Sequence, residues 1–341
     1  MAINDKRYWG IIPPQPAAQI IEAAKKAEAI GLDGLWGIQL PGPPFLPLAT
    51  AAGGTQKLKL GTGVSLAFTR SPFETALSAL DLDLISGGRT VLGLGPSVRR
   101  FNENWHGVPY DPPLPRLREV ITLIRLITEK GHTGELGKWE GKYYSVDFSD
   151  LNMLRRPVRP SIPIYLSALF TGAVRLAGEI GDGLAGHPIW SAQWIRDQVR
   201  PNLETGLKKA NKTRQDFDLN IWAYVAINPD RRQAIADARG TVAFYSSIAQ
   251  YEKYFAAQGF GEAARQAAEA AQRQDPKAMI TAIPDDMVET FAVVGTPDEV
   301  RGKINALWEV ADSLTLMEPS FFLKGEQMRA YQQALVDTLY E

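Results

Sequence analysis

His187 and Glu318 are the only acid–base side chains among the residues that this sequence sets at the carboxyl ends of its strand-like runs. The other strand-end residues are Pro13, Gln39, Gly63 to Ser65, Gly95 to Ser97 and Ala168 to Gly172. Hydrolysis by general acid and base calls for at least two such groups within reach of each other, and no nucleophile–base pair is present. Hydride transfer asks less of a protein, because a cofactor brings the reactivity and the chain holds two rings face to face. Metal chemistry is not expected. His106, His132 and His187 are scattered, and no acidic cluster has ligand spacing. The absence of cysteine excludes disulfides and thiol catalysis. The segment LSALFTGAV adds a different kind of site. It puts the N–H groups of Thr171, Gly172 and Ala173 at a helix start, where the dipole favours an anion such as a phosphate. A helix merely capped by Thr171 is the alternative.

A strand–helix rhythm positions these residues. Tyr8 to Pro13 is the first strand, and Ile20, Ala24 and Ala27 mark a helix stopped by Gly31. Gly34 to Ile38 is the second strand, with Gln39 and Leu40 at its carboxyl end. Pro41 to Pro47 reads as a rigid loop, too proline-dense for regular structure. Next come the runs LKLGTGV and TVLGLG, ending at Val64 and Gly95, with a helix between them. Ser71 is its N-cap, Pro72 its first residue, and Glu74 closes a capping box. Phe73, Leu77, Leu80 and Leu84 form the stripe expected to lie on the sheet, and Gly87 with Gly88 ends the helix. Two strands joined through a helix imply a parallel sheet. Gly61, Gly63, Gly93 and Gly95 either let a ligand approach the backbone or pack helix against strand.

Phe101 to Pro115 reads as a polar and aromatic loop, followed by a helix through Leu117, Ile121 and Ile127 and a hairpin over Trp139 to Val146. Ile164 to Ala168, Gly183 to Gly186 and Leu219 to Ile227 are the next three strands, with a helix from Trp194 to Ala210. Residues 231–292 are rich in alanine and glutamine, helical by propensity and without a good strand. They read as a helical insertion, because a helix and a strand still follow. Thr296, Pro297 and Glu299 open that helix, Leu314 to Met317 form the strand, and Met328, Tyr331 and Leu335 mark a closing helix. The expected fold is α/β: one (β/α)8 TIM barrel over residues 1–341, with the insertion before the last helix–strand unit. Phe244, Tyr245, Tyr251, Tyr254, Phe255 and Phe260 in the insertion either pack its own core or form a lid over an apolar pocket.

The chain has 341 residues and a net charge of −1, so nothing attracts nucleic acid or an anionic membrane over long range. No apolar run approaches the length that crosses a bilayer. The first residues, MAINDKRYWG, lack the apolar core of a signal peptide, and a cytoplasmic protein is expected.

The words LGTGV, TRSP, LDLISGGR, LGLG and FNENWHGVPYD, in that order, resemble the bacterial-luciferase-like oxidoreductases. WEGKYY, PIYLSALFTGAVRLAGEIGDGL and GTPDEV extend the resemblance over most of the chain. The pattern TGVSLAFTRSP with LGLGPSVRRFNENW is most similar to the actinobacterial branch that uses the deazaflavin coenzyme F420.

The resemblance implies a TIM barrel that moves a hydride between F420 and a small apolar substrate, working as a homodimer. Reduced FMN in a monooxygenase is the second reading, and a barrel that binds flavin or lipid without catalysis is the third. Gly63 and Val64 match a bulge whose cis peptide supports the back of the flavin ring, with Ser65 beside it. Asn102 matches a polar residue at the ring's pyrimidine edge. Ala168, Leu169, Phe170, Thr171, Gly172 and Ala173 match the cofactor's phosphate segment, although many relatives have Gly-Gly at Leu169 and Phe170. His187 follows the sixth strand, where relatives have a cofactor or substrate contact; it is the expected catalytic residue, and packing in its loop is the alternative. Gln39 and Leu40 replace an Asp-His of several relatives, and Pro96 to Val98 replace a glutamate acid of the sugar-phosphate dehydrogenases. That leaves His187 as the nearest candidate acid, expected to deliver a proton after hydride reaches the substrate or to orient a substrate oxygen without losing one.

Overall fold

Trp9 pairs in register with Gly34, and Trp36 pairs with Gly61 one strand further on. A Cβ at Gly34 would run into the Trp9 ring, one at Gly61 into the Trp36 ring and one at Gly183 into the Tyr165 ring. Glycine recurs on these strands because a neighbour's aromatic ring already fills the space. Trp9 and Trp36 stack with ring centroids 4.2 Å apart, and Tyr165 tilts against Trp36 at 5.9 Å.

This arrangement comes from a computed structural model that describes residues 6–40, 42–152 and 154–340. The chain divides into two compact units, Met1–Ala185 with Pro201–Leu219, and Gly186–Arg200 with Asn220–Glu341. In the first unit, strands β1 (Tyr8–Ile11), β2 (Gly34–Gly37), β3 (Lys59–Thr62), β4 (Thr90–Gly95), β5 (Ile164–Ala168) and β6 (Gly183–Gly186) neighbour one another in chain order. The registers from β1 through β5 are parallel. Ile20, Ala24, Leu35, Leu48, Leu60 and Leu82 share one buried core between helices and strands. At the amino ends of β5 and β7 (Asp218–Ile227), Tyr165 Oη donates to Asp218 Oδ2 at 2.7 Å, and Arg7 Nη2 donates to Asp218 Oδ1 at 3.0 Å.

In the second unit, β7 pairs in parallel with β8 (Ser313–Met317) and with a short strand, Val293–Gly295, that sequence reading did not anticipate. Asn220 donates to Ser313 Oγ and accepts from Thr315 Oγ1, both at 2.7 Å, which satisfies the buried polar groups between these two strands. Helices Arg231–Ser246, Glu252–Ala256, Gly261–Gln272, Pro276–Thr281 and Asp285–Phe291 occupy the alanine-rich stretch. Eight parallel strands alternating with helices, counted among the described residues, make the (β/α)8 TIM barrel.

Four expectations change in detail. Pro41 lies outside the described residues, and the rest of the supposed loop gives way to a helix at Phe45–Ala52. Pro47 stands in its first turn, where a missing N–H costs nothing. Helix Pro72–Ser86 has the expected Ser71 cap and ends at Gly87 with φ of 67°, but it buries Thr75, Ala76, Ala79, Leu82 and Asp83. Leu84, from the stripe expected to face the sheet, is 46% exposed. Small residues allow close approach to the sheet, and Asp83 pairs with Arg159 at 2.7 Å. Phe101–Trp105 forms a π-helical turn where a loop was expected. Thr171 is the first residue of helix Thr171–Ile180, and the N-cap is Phe170.

Candidate active site

The first unit brings together the residues expected at the carboxyl ends of β2 to β5. The Gly63–Val64 peptide is cis, as expected of the bulge after β3. A Cβ at Gly93 would strike the Thr62 carbonyl, and one at Gly95 would strike Ser167 Oγ, with Val64 3.2 Å and 3.0 Å from those two positions. Gly93 and Gly95 therefore make room for Thr62, Val64 and Ser167.

Gln39 and Ser65 meet at Arg70. Arg70 Nη1 donates to Gln39 Oε1 at 2.8 Å and to Ser65 Oγ at 3.3 Å. Gln39 Oε1 also accepts from Leu66 N at 2.9 Å. A cavity of about 210 Å³ opens here, walled by Leu40, Pro43, Leu66, Phe101 and Trp105, with Gln39, Arg70 and His106 as polar members. Phe101 and Trp105 stack at 4.0 Å, as the turn of the π-helix allows.

Asn102 is fully buried, and its Nδ2 donates to the carbonyls of Pro96 at 2.8 Å and Val98 at 2.9 Å. Two carbonyl acceptors fix the amide's orientation. The side chain thus braces the segment after β4, and its Oδ1 is left without a partner among the described residues. At the end of β5, Ala168 and Leu169 are buried and Phe170 is 39% exposed. Ala173 N donates to Phe170 O at 3.0 Å, so it is not a free donor. Thr171 and Gly172 keep the first-turn N–H groups that no intrahelical carbonyl can reach.

His187 belongs to the second unit, where it lies edge-on to Tyr245 and Tyr251, with centroids 5.3 Å and 5.0 Å away. The Ile189 N–H points to Nδ1 at 3.5 Å, a weak bond that puts the ring proton on Nε2, 3.1 Å from Tyr251 Oη. Desolvation pushes the imidazole's pKa down to about 3. Burial thus favours its neutral form near pH 7, which suits a ring that orients an oxygen better than one that delivers a proton.

The aromatic residues of the helical stretch fall into two groups. Tyr254, Phe255 and Phe260 pack with Phe291, whereas Tyr245 and Tyr251 enclose His187. Tyr245 Oη also meets Tyr224 Oη at 3.0 Å, and burial pushes Tyr224 up to about 12. Glu318 directly follows β8, and its carboxyl is raised above the ordinary range, chiefly by desolvation. Its charge also disfavours ionisation of Tyr224. Sequence reading missed Arg70, Tyr224 and the pairing of Tyr245 with both rings. Arg70 stands in the word TRSP, but its partner Gln39 is 31 residues away and only the fold joins them. Among the described residues, no three histidine, aspartate or glutamate side chains are grouped to hold a metal ion, and no helix is long and apolar enough to cross a membrane.

Comparison with known proteins follows the same lines. The family model described as luciferase-like monooxygenase matches residues 5–313. A Mycobacterium tuberculosis protein with the provisional name coenzyme F420-dependent oxidoreductase is 32% identical over 339 residues, covering 91% of this chain and 92% of its own. The 5,10-methylenetetrahydromethanopterin reductase of Archaeoglobus fulgidus is 33% identical over 261 residues, 74% of each chain. Among solved structures, the coenzyme F420 dependent tetrahydromethanopterin reductase from Methanopyrus kandleri superposes with a TM-score of 0.82 over 98% of each chain, at 24% identity.

Proposed function

The chain belongs to the luciferase-like monooxygenase family, and from that membership we propose that it is a coenzyme F420-dependent oxidoreductase. It moves a hydride between the deazaflavin and a small organic substrate with an apolar body. The observation that carries this reading is the likeness, over 91% of the chain, to a relative whose name specifies F420. The strand ends support it, since a neutral imidazole and one desolvated carboxyl are too little for hydrolysis unaided.

The residues present suit such a cofactor. Asn102 Oδ1 is an orphaned acceptor, and the pyrimidine edge of a deazaflavin carries an N–H. The first-turn N–H groups of Thr171 and Gly172, with Ala168 to Phe170 leading into them, suit its phosphate. Val64, flanked by Gly63 and Ser65, is the support for the ring's back, and Gln39 lies at the adjoining strand end. Bound here, F420 supplies a two-electron carrier, and the chain's own residues orient it and exclude water. Glu318 is the carboxyl that would pass a proton, since desolvation raises its pKa above that of an exposed one. His187 then orients a substrate oxygen through the Tyr251 hydroxyl that its Nε2–H meets. Residues 231–292 are read as a helical insertion, and the working form as a cytoplasmic homodimer.

Titrating the protein with F420 and with FMN, and following quenching of cofactor fluorescence, tests the reading. Binding of F420 in preference to FMN is expected. Preference for FMN would favour the monooxygenase that the family's name describes, and no binding of either would leave a barrel without this chemistry.

A further inference from the structure

Arg70 carries a charge that its surroundings do not neutralise. Its side chain is 15% exposed, and the nearest carboxylate, Glu74, is 3.9 Å from Nε and itself 64% exposed. Nη1 donates only to the neutral oxygens of Gln39 and Ser65. Nη2 donates to nothing among the described residues, and the guanidinium also faces the Phe45 ring at 5.9 Å. Burial pulls its pKa down, yet a guanidinium stays protonated throughout the physiological range. A partly buried cation whose one carboxylate partner is distant and exposed is costly, and the cost is relieved when a ligand brings a closer anion.

A purely structural task does not need that charge. Gln39 Oε1 is already satisfied by the Leu66 N–H at 2.9 Å, so a neutral side chain could fill the place of Arg70 without orphaning it. Apart from Gln39 and His106, the rest of the cavity is the opposite in character. Leu40, Leu66 and the stacked Phe101 and Trp105 are apolar, and the volume of about 210 Å³ falls below the roughly 300–1,000 Å³ of sites for drug-sized ligands. Room for one small ring or short chain, with the Arg70 guanidinium and the His106 imidazole in the wall, defines a ligand chemistry.

We propose that this cavity receives the anionic end of the substrate, a carboxylate or phosphate on a small apolar body, with Arg70 as the group that selects it. The word substrate rests on the function proposed above. The pocket's preference for an anion does not.

The test uses benzoate, its neutral isostere benzamide and inorganic phosphate as probes, titrated calorimetrically into the whole protein and into Arg70→Met and Arg70→Lys. Benzoate should bind about tenfold or more tightly than benzamide, as a charge-assisted hydrogen bond implies. Arg70→Met should erase the difference, and Arg70→Lys should keep part of it. Equal binding of benzoate and benzamide, failure of both benzoate and phosphate to bind, or a preference that survives in a folded Arg70→Met overturns the proposal. Parallel titration with F420 identifies whose anion it is. Unchanged F420 affinity in Arg70→Met supports the substrate. Weakened F420 affinity, together with competition between benzoate and F420, gives the anion to the cofactor and overturns the substrate assignment. A wild-type protein that ignores F420 yet prefers benzoate sinks the function proposed above and supports the anion pocket.

Discussion

His187 Nε2 and Tyr251 Oη are 3.1 Å apart, in a setting that keeps the imidazole neutral. A histidine at a strand end invites the role of proton donor, and this one is fixed as a hydrogen-bonding group. Its pKa of about 3 lies below the ordinary value near 6.5. As pH falls, the unfolded chain takes up this proton before the folded one does. The ring's contribution to stability is therefore complete above about pH 6.5 and is lost as pH drops toward 3. His187→Gln cannot take the proton but can still reach Tyr251. Between pH 7 and pH 4.5, urea denaturation should cost the wild type about 1–2 kcal/mol more than the variant, after allowing for the ring's partial exposure. Parallel losses would mean that His187 titrates normally.

Gly61 should be far less tolerant than Gly302. A Cβ at Gly61 would enter the ring of Trp36, which is fully buried. Gly61→Ala should therefore cost about 1–3 kcal/mol in chemical denaturation. Replacing Trp36 by Leu in the same chain should recover part of that, because the two residues share one space. Gly302 lies within helix Pro297–Leu307, where an added Cβ would meet nothing within 4 Å. Gly302→Ala should raise stability by about 0.5–1 kcal/mol. Equal effects of the two changes would contradict the packing argument.

The two best helix starts were legible in the sequence because every partner is local. Ser71 accepts from Glu74 N at 3.0 Å, and Glu299 Oε2 accepts from Thr296 N at 2.9 Å. Direction of packing was less legible. Phe73, Leu77, Leu80 and Leu84 make the stronger hydrophobic stripe on their helix, yet Asp83 points inward, because Arg159, 76 residues later, comes to meet it. The strand-end glycines are similar: their reason is the ring or carbonyl of another strand, which no local pattern contains. At the candidate site, the phosphate-type helix start and the Gly63–Val64 bulge carried local words. The Gln39–Arg70–Ser65 contact and the tyrosines around His187 are assembled by the fold and left no signature at fixed spacing.

The box at Thr296 gives a prediction of known scale. Its side chain and Glu299 satisfy each other's backbone N–H groups at the start of helix Pro297–Leu307. Thr296→Ala should cost about 1 kcal/mol, as loss of an N-cap does, without altering cofactor binding. Denaturation of the variant beside F420 titration checks both halves, and a change in affinity would tie this helix to the site.

Glu318 should behave in the opposite sense to His187. Desolvation raises its carboxyl pKa above the ordinary 4.5. As pH rises past that value, the unfolded chain releases the proton first. Stability is complete below about pH 4.5 and falls as pH climbs through the raised value. At neutral pH the protein thus bears a cost that a neutral isostere avoids. Glu318→Gln should melt at a higher temperature than wild type at pH 7, and the gain should vanish near pH 4. A stability cost of this kind persists where a group has chemistry to do. The same variant should bind F420 normally while turnover falls about 10²–10⁴-fold, the range for loss of a general acid. Normal turnover with the stability gain intact would make Glu318 a cost without a catalytic return, and the proton would then come from solvent. No gain at pH 7 would mean that the carboxylate is better solvated than its burial implies.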